Sequence, residues 1–245
     1  MLVGTADLES FARGAPRLDS FPEATLTLPG VELLQATFEL AGPGVESLFP
    51  PGLHPTLPVL AVFAFWRADA GPLGAFRLAQ LRLSCRSGAR PRQLLVSSFV
   101  DGEPARAALN ASFGFGARAA RVELARFYDR AEARVVLDGR TLVSVHAGAP
   151  LPLATSDLQF FASVHPAHTP KGFRLVQIDA EYAIARAERG KPVLDAFDAS
   201  GFGAPHVRPS WPVAAIVALG DVTLPRVRFV VRPDVLAFEG TELVS

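Results

Sequence analysis

The sequence predicts a mainly β protein that folds as a barrel or as a sandwich of two sheets. Most apolar residues lie in runs of strand length, and turn-forming residues separate these runs. The 21 prolines and 20 glycines follow no period, which indicates many turns between short elements. So many strands form a stable unit only if their sheet closes or packs on a second sheet. We expect residues 1–245 to form one domain with a few short helices.

The N-terminal third predicts short helices at Ala6–Ala12, with Thr5 as N-cap, and at Pro43–Phe49. Three strands are expected here: Glu32–Leu40, Val59–Trp66 and Phe76–Cys85. The middle strand is a continuous apolar run, which is typical of a strand buried on both faces. In the third strand the apolar residues change phase between Leu78 and Leu81, as a β-bulge would produce.

The rest of the chain predicts further strands. Asp138–Gly139 lies between two of them and is the strongest hairpin signal, because a type I′ turn needs positive φ at both positions. His165–Gly172 is expected to be a loop, and Pro192–Ala199 a short helix. The expected strands are Gln93–Val100, Arg121–Phe127, Ala133–Leu137, Thr141–His146, Leu158–Val164, Phe173–Ala185, Trp211–Leu219 and Arg226–Arg232.

Composition excludes several functional classes. Lys plus Arg and Asp plus Glu number 24 each, so no basic field exists to bind nucleic acid. Cys85 is the single cysteine, which excludes an intrachain disulfide and a cysteine metal site. The apolar run Leu57–Trp66 is too short to span a bilayer as a helix. Met1–Pro16 has no signal-peptide pattern, so we expect a cytoplasmic protein without membrane contact.

Motifs for common chemistries are weak. His165 and His168 are three residues apart but have no further ligand nearby, so we interpret them as solvated loop histidines and expect no metal. Gly114–Gly116 lacks the full phosphate-loop fingerprint and is more typical of a tight β corner. No Gly-x-Ser-x-Gly elbow occurs. Asp179 and Glu181 could form a carboxylate pair, but we interpret them as part of a solvated strand face.

Five segments occur in an order that is typical of one enzyme family: Leu48–Leu53, Gly71–Phe76, Asp101–Arg118, Phe160–Val176 and Gly220–Pro225. Through them the chain resembles the acetoacetate decarboxylase superfamily over nearly its whole length. The resemblance implies a single antiparallel β-barrel of the acetoacetate decarboxylase-like type. It also implies a largely apolar internal cavity and assembly into a homo-oligomer.

The resemblance does not extend to the family's reactive residues. In the family, a lysine forms a Schiff base with the ketone of the substrate, and the imine accepts the electrons released with carbon dioxide. The position of that lysine falls on Ala117, and the second lysine position falls on Arg118. Lys171 and Lys191 are expected to lie in solvated turns, where an amine would stay charged and unreactive. Further characteristic positions of the family, among them its proline, are also occupied by other residues: Glu39, Phe76, Leu78, Asn110, Ala111 and Gly116.

The resemblance implies a ligand pocket lined by Phe76, Leu78, Asn110, Phe113, Phe115, Ala117 and Arg118. Alternatively, these residues are ordinary core that fills a former pocket. If Arg118 points inward, it could bind a carboxylate with two parallel hydrogen bonds; otherwise it points to solvent. Asn110 could orient a carbonyl oxygen or form a turn.

These observations leave three hypotheses. The first is a protein that binds a small carbonyl or carboxylate compound, without Schiff-base decarboxylation and without a cofactor. The second is a lyase or hydratase that acts on an oxo acid or enol, with Arg118 and an acid or base such as Glu39, Asp101 or Glu103. The third is a non-catalytic structural homologue with a filled cavity.

Overall fold

The computed structural model describes residues 2–244, and strands dominate it. The strands are β1 (Leu26–Leu40), β2 (His54–Pro55), β3 (Leu60–Ala68), β4 (Phe76–Ser87), β5 (Arg90–Asp101), β6 (Arg118–Ala119), β7 (Arg121–Arg126), β8 (Arg130–Leu137), β9 (Arg140–Leu153), β10 (Ser163–Thr169), β11 (Gly172–Ile178), β12 (Glu181–Phe197), β13 (Pro209–Leu224), β14 (Phe229–Val231) and β15 (Thr241–Leu243). The α-helices are α1 (Leu8–Arg13), α2 (Glu103–Phe113) and α3 (Ala237–Gly240), and short 3₁₀ turns lie at Val45–Leu48 and Thr155–Asp157.

All the strands belong to one large mixed sheet. Its hydrogen-bonded order is β15-β14-β11-β10-β5-β4-β3-β1-β13-β12-β9-β8-β7, with β2 beside β4 and β6 beside β5. Most pairs are antiparallel, but β5 pairs in parallel with both β10 and β6. The mainly β fold class is therefore confirmed. Over the described residues the order does not close into a ring, although β7 at one end lies beside β3, β4 and β5.

The central strands carry apolar side chains on both faces. In β4, Phe76 and Leu78 pack into one core together with α2, whereas Leu81 and Leu83 pack into a second core on the opposite face. The change of phase in this strand therefore marks burial on two faces. The register shift of the β4–β5 pair follows Leu81, where β5 carries the extra residue, so β4 itself contains no bulge.

The hairpin expected at Asp138–Gly139 is confirmed. It joins β8 to β9, and φ is 51° at Asp138 and 76° at Gly139. Asp138 is one of the few residues other than glycine with a positive φ, which aspartate tolerates better than most side chains.

Two local predictions in the second half of the chain are wrong. Pro192–Ala199 is not a helix: residues up to Phe197 continue β12, because they pair with β9, as Val193 does with His146. His165–Gly172 is not a loop: β10 and β11 form a hairpin through this segment. Cross-strand pairing overrides local propensity in both cases.

Helix α2 was absent from the sequence-based prediction. Pro104 follows its first residue, and Ala105, Leu109 and Phe113 form its buried stripe, with spacings of four residues. Gly114 ends the helix with φ at 64°. This helix covers one face of the sheet and delivers the chain to the segment Gly114–Arg118. Among residues 2–244, no helix is long and apolar enough to cross a membrane.

Candidate functional site

An opening along the edge of β5 forms the candidate site. The parallel pairing of β5 with β10 ends at Leu94, and its parallel pairing with β6 begins at Phe99. Residues 95–98 lie between these two pairings, and their side of β5 borders a cleft of about 530 Å³. The cleft therefore lies in the gap between β10 and β6, where this edge of β5 has no neighbouring strand.

Several elements contribute the walls of this cleft. The loop Phe202–Val207 forms one side, and α1 with the residues that follow it forms another. Apolar wall residues include Leu83, Leu94 and Phe202, which are buried. Polar side chains are fewer. Those at the β5 edge, on β10 and in the segment after α2 are Ser97, Ser98, Arg118 and His165, and other parts of the wall carry Ser10, Ser47 and His206.

Arg118 is the one Asp, Glu, Lys or Arg residue among the described residues that line the cleft. Its guanidinium lies over the ring of Phe99, 4.4 Å from the ring centre. Nη2 donates to the carbonyl of Gly201 at 2.8 Å and to the hydroxyl of Ser97 at 3.3 Å. Arg118 is an exposed residue, but partial desolvation lowers the pKa of its guanidinium, and within residues 2–244 no carboxylate pairs with it. The cleft thus holds a cation that lacks an acidic partner in the described chain.

His165 is a buried wall residue, which corrects its interpretation as a solvated loop histidine. Its side chain is 2% exposed, and its Nε2 lies 2.8 Å from the carbonyl oxygen of Phe113. Nδ1 is buried and has no hydrogen-bond partner in residues 2–244. Burial lowers the pKa of His165 to about 4, and the positive charge of Arg82 also acts to lower it.

A buried polar cluster lies next to this wall. Arg82, which is 5% exposed, donates through Nε to the side-chain oxygen of Gln80 at 2.8 Å and also contacts it through Nη2. The amide nitrogen of Gln80 lies 3.5 Å from the hydroxyl of Ser98 in the cleft wall. Burial raises the pKa of Tyr182, whereas the charge of Arg82 and a hydrogen bond to it act in the opposite direction. Arg82 is thus a second cation near the site.

The predicted pocket residues do not all meet in this cleft. Phe115 and Arg118 line it, together with Gly114 and Gly116. The other apolar members lie in the core that α2 covers: Phe76, Leu78, Phe113 and Ala117. Phe115 connects the two regions, because its ring stacks on Phe113 at 5.9 Å and meets His165 edge-on at 5.5 Å.

Asn110 has a structural position beside the cleft. Its side-chain oxygen accepts a hydrogen bond from the backbone N–H of Ala117 at 2.7 Å, and its amide nitrogen donates to the Ala117 carbonyl at 3.0 Å. These two hydrogen bonds connect the last turn of α2 to the residue before β6. Asn110 thus determines the path of Gly114–Gly116 along the cleft wall.

The predicted acids and lysines lie elsewhere. Glu103 pairs with Arg106 on the exposed side of α2, and Asp101 accepts from the backbone N–H of Val122. Glu39 is half-buried and does not line the cleft. Lys171 and Lys191 are exposed, the second on β12 and not in a turn. In the described part of the chain, no three His, Cys, Asp or Glu side chains form a group that could hold a metal ion.

Sequence reasoning missed most of the polar wall, including Ser97, Ser98 and the neighbouring Gln80 and Arg82. A signal was present for the last two. Gln80 and Arg82 alternate in β4 with Ala79, Leu81 and Leu83, which form one apolar face of the strand. Gln80 and Arg82 therefore lie on the opposite face, where Phe76 and Leu78 are also buried.

Comparisons with known proteins identify the fold. No protein-family model matches the chain, and no curated protein sequence matches it. Solved structures do match. The crystal structure of acetoacetate decarboxylase from Legionella pneumophila superposes with a TM-score of 0.70 at 16% identity, over 94% of this chain and 92% of that one. The enduracididine biosynthesis enzyme MppR complexed with pyruvate gives a TM-score of 0.68 at 18% identity, over 91% of each chain.

A third solved structure is an acetoacetate decarboxylase-like enzyme from Sphingomonas wittichii RW1. It gives a TM-score of 0.61 at 16% identity, over 84% of this chain and 94% of that chain. At such low identity these matches define the fold and carry no residue roles. The chain therefore has the acetoacetate decarboxylase-like fold that its sequence resemblance implies.

Proposed function

We propose that this protein binds a small carboxylate compound with a short apolar body in the cleft at the edge of β5, and that it does so without forming a Schiff base. The observation that carries the proposal is Arg118, a cation in the wall of a cleft that no described Asp, Glu or Lys lines, and one without an acidic partner among residues 2–244. Its Nε and Nη1 have no hydrogen-bond acceptor there, so their protons are available to a carboxylate.

The surroundings of Arg118 suit such a ligand. A charge that has lost part of its water favours an anion more strongly than a fully solvated one, because the local dielectric is lower. The contacts of Nη2 and the ring of Phe99 hold the guanidinium in place, so little side-chain entropy is lost on binding. The cleft volume of about 530 Å³ is adequate for a compound of a few carbon atoms.

The proposal excludes Schiff-base chemistry for a physical reason. Ala117 has no amine, and an arginine stays protonated. Lys171 and Lys191 are exposed and lie outside the cleft lining, where an amine keeps its charge and is a poor nucleophile. The complex of MppR with pyruvate supports the ligand class only by analogy, since it describes another protein with this fold.

Calorimetric titration with propionate, pyruvate and the neutral ketone acetone tests the proposal. We expect the two carboxylates to bind and acetone to bind at least tenfold more weakly. Arg118→Met should weaken carboxylate binding by about ten- to a hundredfold, since a charge-assisted hydrogen bond contributes about 1.5–3 kcal/mol. Arg140→Met, which removes an exposed arginine outside the cleft lining, is the matched control. Unchanged affinity in Arg118→Met would exclude the proposed site.

Borohydride trapping with pyruvate or acetoacetate, followed by mass spectrometry, tests the second half of the proposal. We expect no covalent adduct. A stable adduct on Lys171 or Lys191 would show that imine chemistry persists. Assembly into a homo-oligomer remains a prediction from the resemblance, and sedimentation would measure it.

The other two hypotheses have less support. The acids and bases that the lyase or hydratase hypothesis names are Glu39, Asp101 and Glu103, and none of these residues lines the cleft. A filled interior would leave no room for a ligand, whereas the cleft beside Arg118 is open.

A further inference from the structure

His165 lies in the wall of the cleft, and one of its ring nitrogens is a buried hydrogen-bond acceptor that the described residues leave unused. A backbone carbonyl can only accept, so the contact with Phe113 requires that Nε2 carries the ring proton. In the neutral ring, Nδ1 then bears a lone pair. This atom is buried and has no donor among the described residues. A buried acceptor without a donor is costly, and a ligand with an N–H or O–H group would satisfy it.

The surroundings keep this ring neutral over the physiological range. Burial is the main reason, and Arg82 adds a positive charge nearby, so the pKa of His165 falls to about 4. The hydrogen bond to the Phe113 carbonyl acts in the other direction but is the smaller effect. His165 is therefore an acceptor and a poor general base at neutral pH, because it gains a proton only with difficulty.

We propose that the ligand is a small hydroxy carboxylic acid, whose carboxylate contacts Arg118 and whose hydroxyl group donates to Nδ1 of His165. This assignment rests on the proposed function, which supplies the carboxylate contact. An oxo acid of the same length brings only acceptor oxygens to Nδ1. It leaves this buried acceptor without a donor, and its lone pairs repel that of the ring. His165 thus selects between ligands that Arg118 binds equally well.

Lactate, pyruvate and propionate form a matched set of three-carbon acids for the test. We expect the wild-type protein to bind lactate at least tenfold more tightly than pyruvate in calorimetric titrations. In His165→Gln the preference should fall below threefold, because the glutamine amide can keep the contact with the Phe113 carbonyl but provides no acceptor at the position of Nδ1. Arg118→Met should weaken all three acids and leave the preference in place.

The outcomes separate the inference from the proposed function. If all three acids bind the wild-type protein with equal affinity, the role of His165 is refuted and the carboxylate site stands. If none of them binds, the proposed function fails and the inference falls with it. If the preference for lactate survives in His165→Gln, another group selects the hydroxyl and the inference is overturned.

A spectroscopic readout on the wild-type protein does not depend on any variant. The long-range proton–nitrogen spectrum of the histidine rings should show an unprotonated Nδ1 for His165 at neutral pH. Lactate should shift this nitrogen resonance as the hydrogen bond forms, whereas pyruvate should leave it nearly unchanged. A protonated Nδ1 in the free protein, or equal shifts with both acids, would contradict the assignment.

Discussion

Replacing Asn110 by alanine should destabilise the protein through the loss of two hydrogen bonds to one residue. Asn110 binds both the N–H and the carbonyl of Ala117, at 2.7 Å and 3.0 Å, and Ala117 is 3% exposed. Each lost bond removes about 1 kcal/mol, and each backbone group left buried without a partner raises the cost. We therefore expect a loss of about 2–4 kcal/mol in the free energy of unfolding. For a chain of this length that lowers Tm by about 4–16 °C.

Urea unfolding followed by tryptophan emission measures this loss. Trp66 is 3% exposed and lies in the core that α2 covers, whereas Trp211 is 71% exposed. A Trp211→Phe background therefore isolates the emission of the informative residue. Ser112→Ala is the matched control on the same helix, because no hydrogen bond of the Ser112 side chain is found in residues 2–244, and it should change stability by less than about 0.5 kcal/mol. A loss below about 1 kcal/mol for Asn110→Ala, at an unchanged urea dependence, would refute the bridging role.

Two further predictions concern Gly102, which lies between β5 and α2, and the buried histidine His165. Gly102 has φ at 130°, and an added Cβ would lie 2.9 Å from the Cβ of Phe76, so Gly102→Ala should lower the free energy of unfolding by about 1–3 kcal/mol in thermal unfolding. Gly14→Ala is the control, because nothing lies within 4 Å of a Cβ added there. Equal stability of the two variants would contradict the argument. The pKa of His165 is about 4 in the folded protein against 6.5 for the free group, so the unfolded state binds more protons below pH 6.5. Stability should therefore fall by up to about 3 kcal/mol as the pH drops from 6.5 towards 4. His165→Gln should lose this part of the pH dependence in urea titrations, and an unchanged pH profile would show that other groups cause it.

The sequence predicts the fold better than the site because the two depend on different distances along the chain. The Asp138–Gly139 hairpin and the buried strand β3 are local patterns, and local patterns specify strands and turns. The position of His165 depends on contact with Phe113, which is 52 residues away. Its burial cannot be read from the turn-forming residues around it, because the pairing of β10 with β11 and β5 encloses it.

The segment Ala117–Arg118 explains why the seven predicted pocket residues divide between two regions. Successive residues of an extended chain point to opposite faces. Ala117 packs into the core that contains Phe76 and Leu78, whereas Arg118 reaches the other side and lies over Phe99. The family resemblance places an alanine and an arginine at the two lysine positions, but it cannot show that their side chains point to opposite sides, one into a core and the other towards the cleft. The apolar residues Phe76, Leu78 and Ala117 pack in the first core, whereas the cation of Arg118 lines the open cleft. A ligand that binds Arg118 therefore also lies close to Ser97 and the loop Phe202–Val207. The chemistry of the site is then decided by the donors and acceptors of that wall.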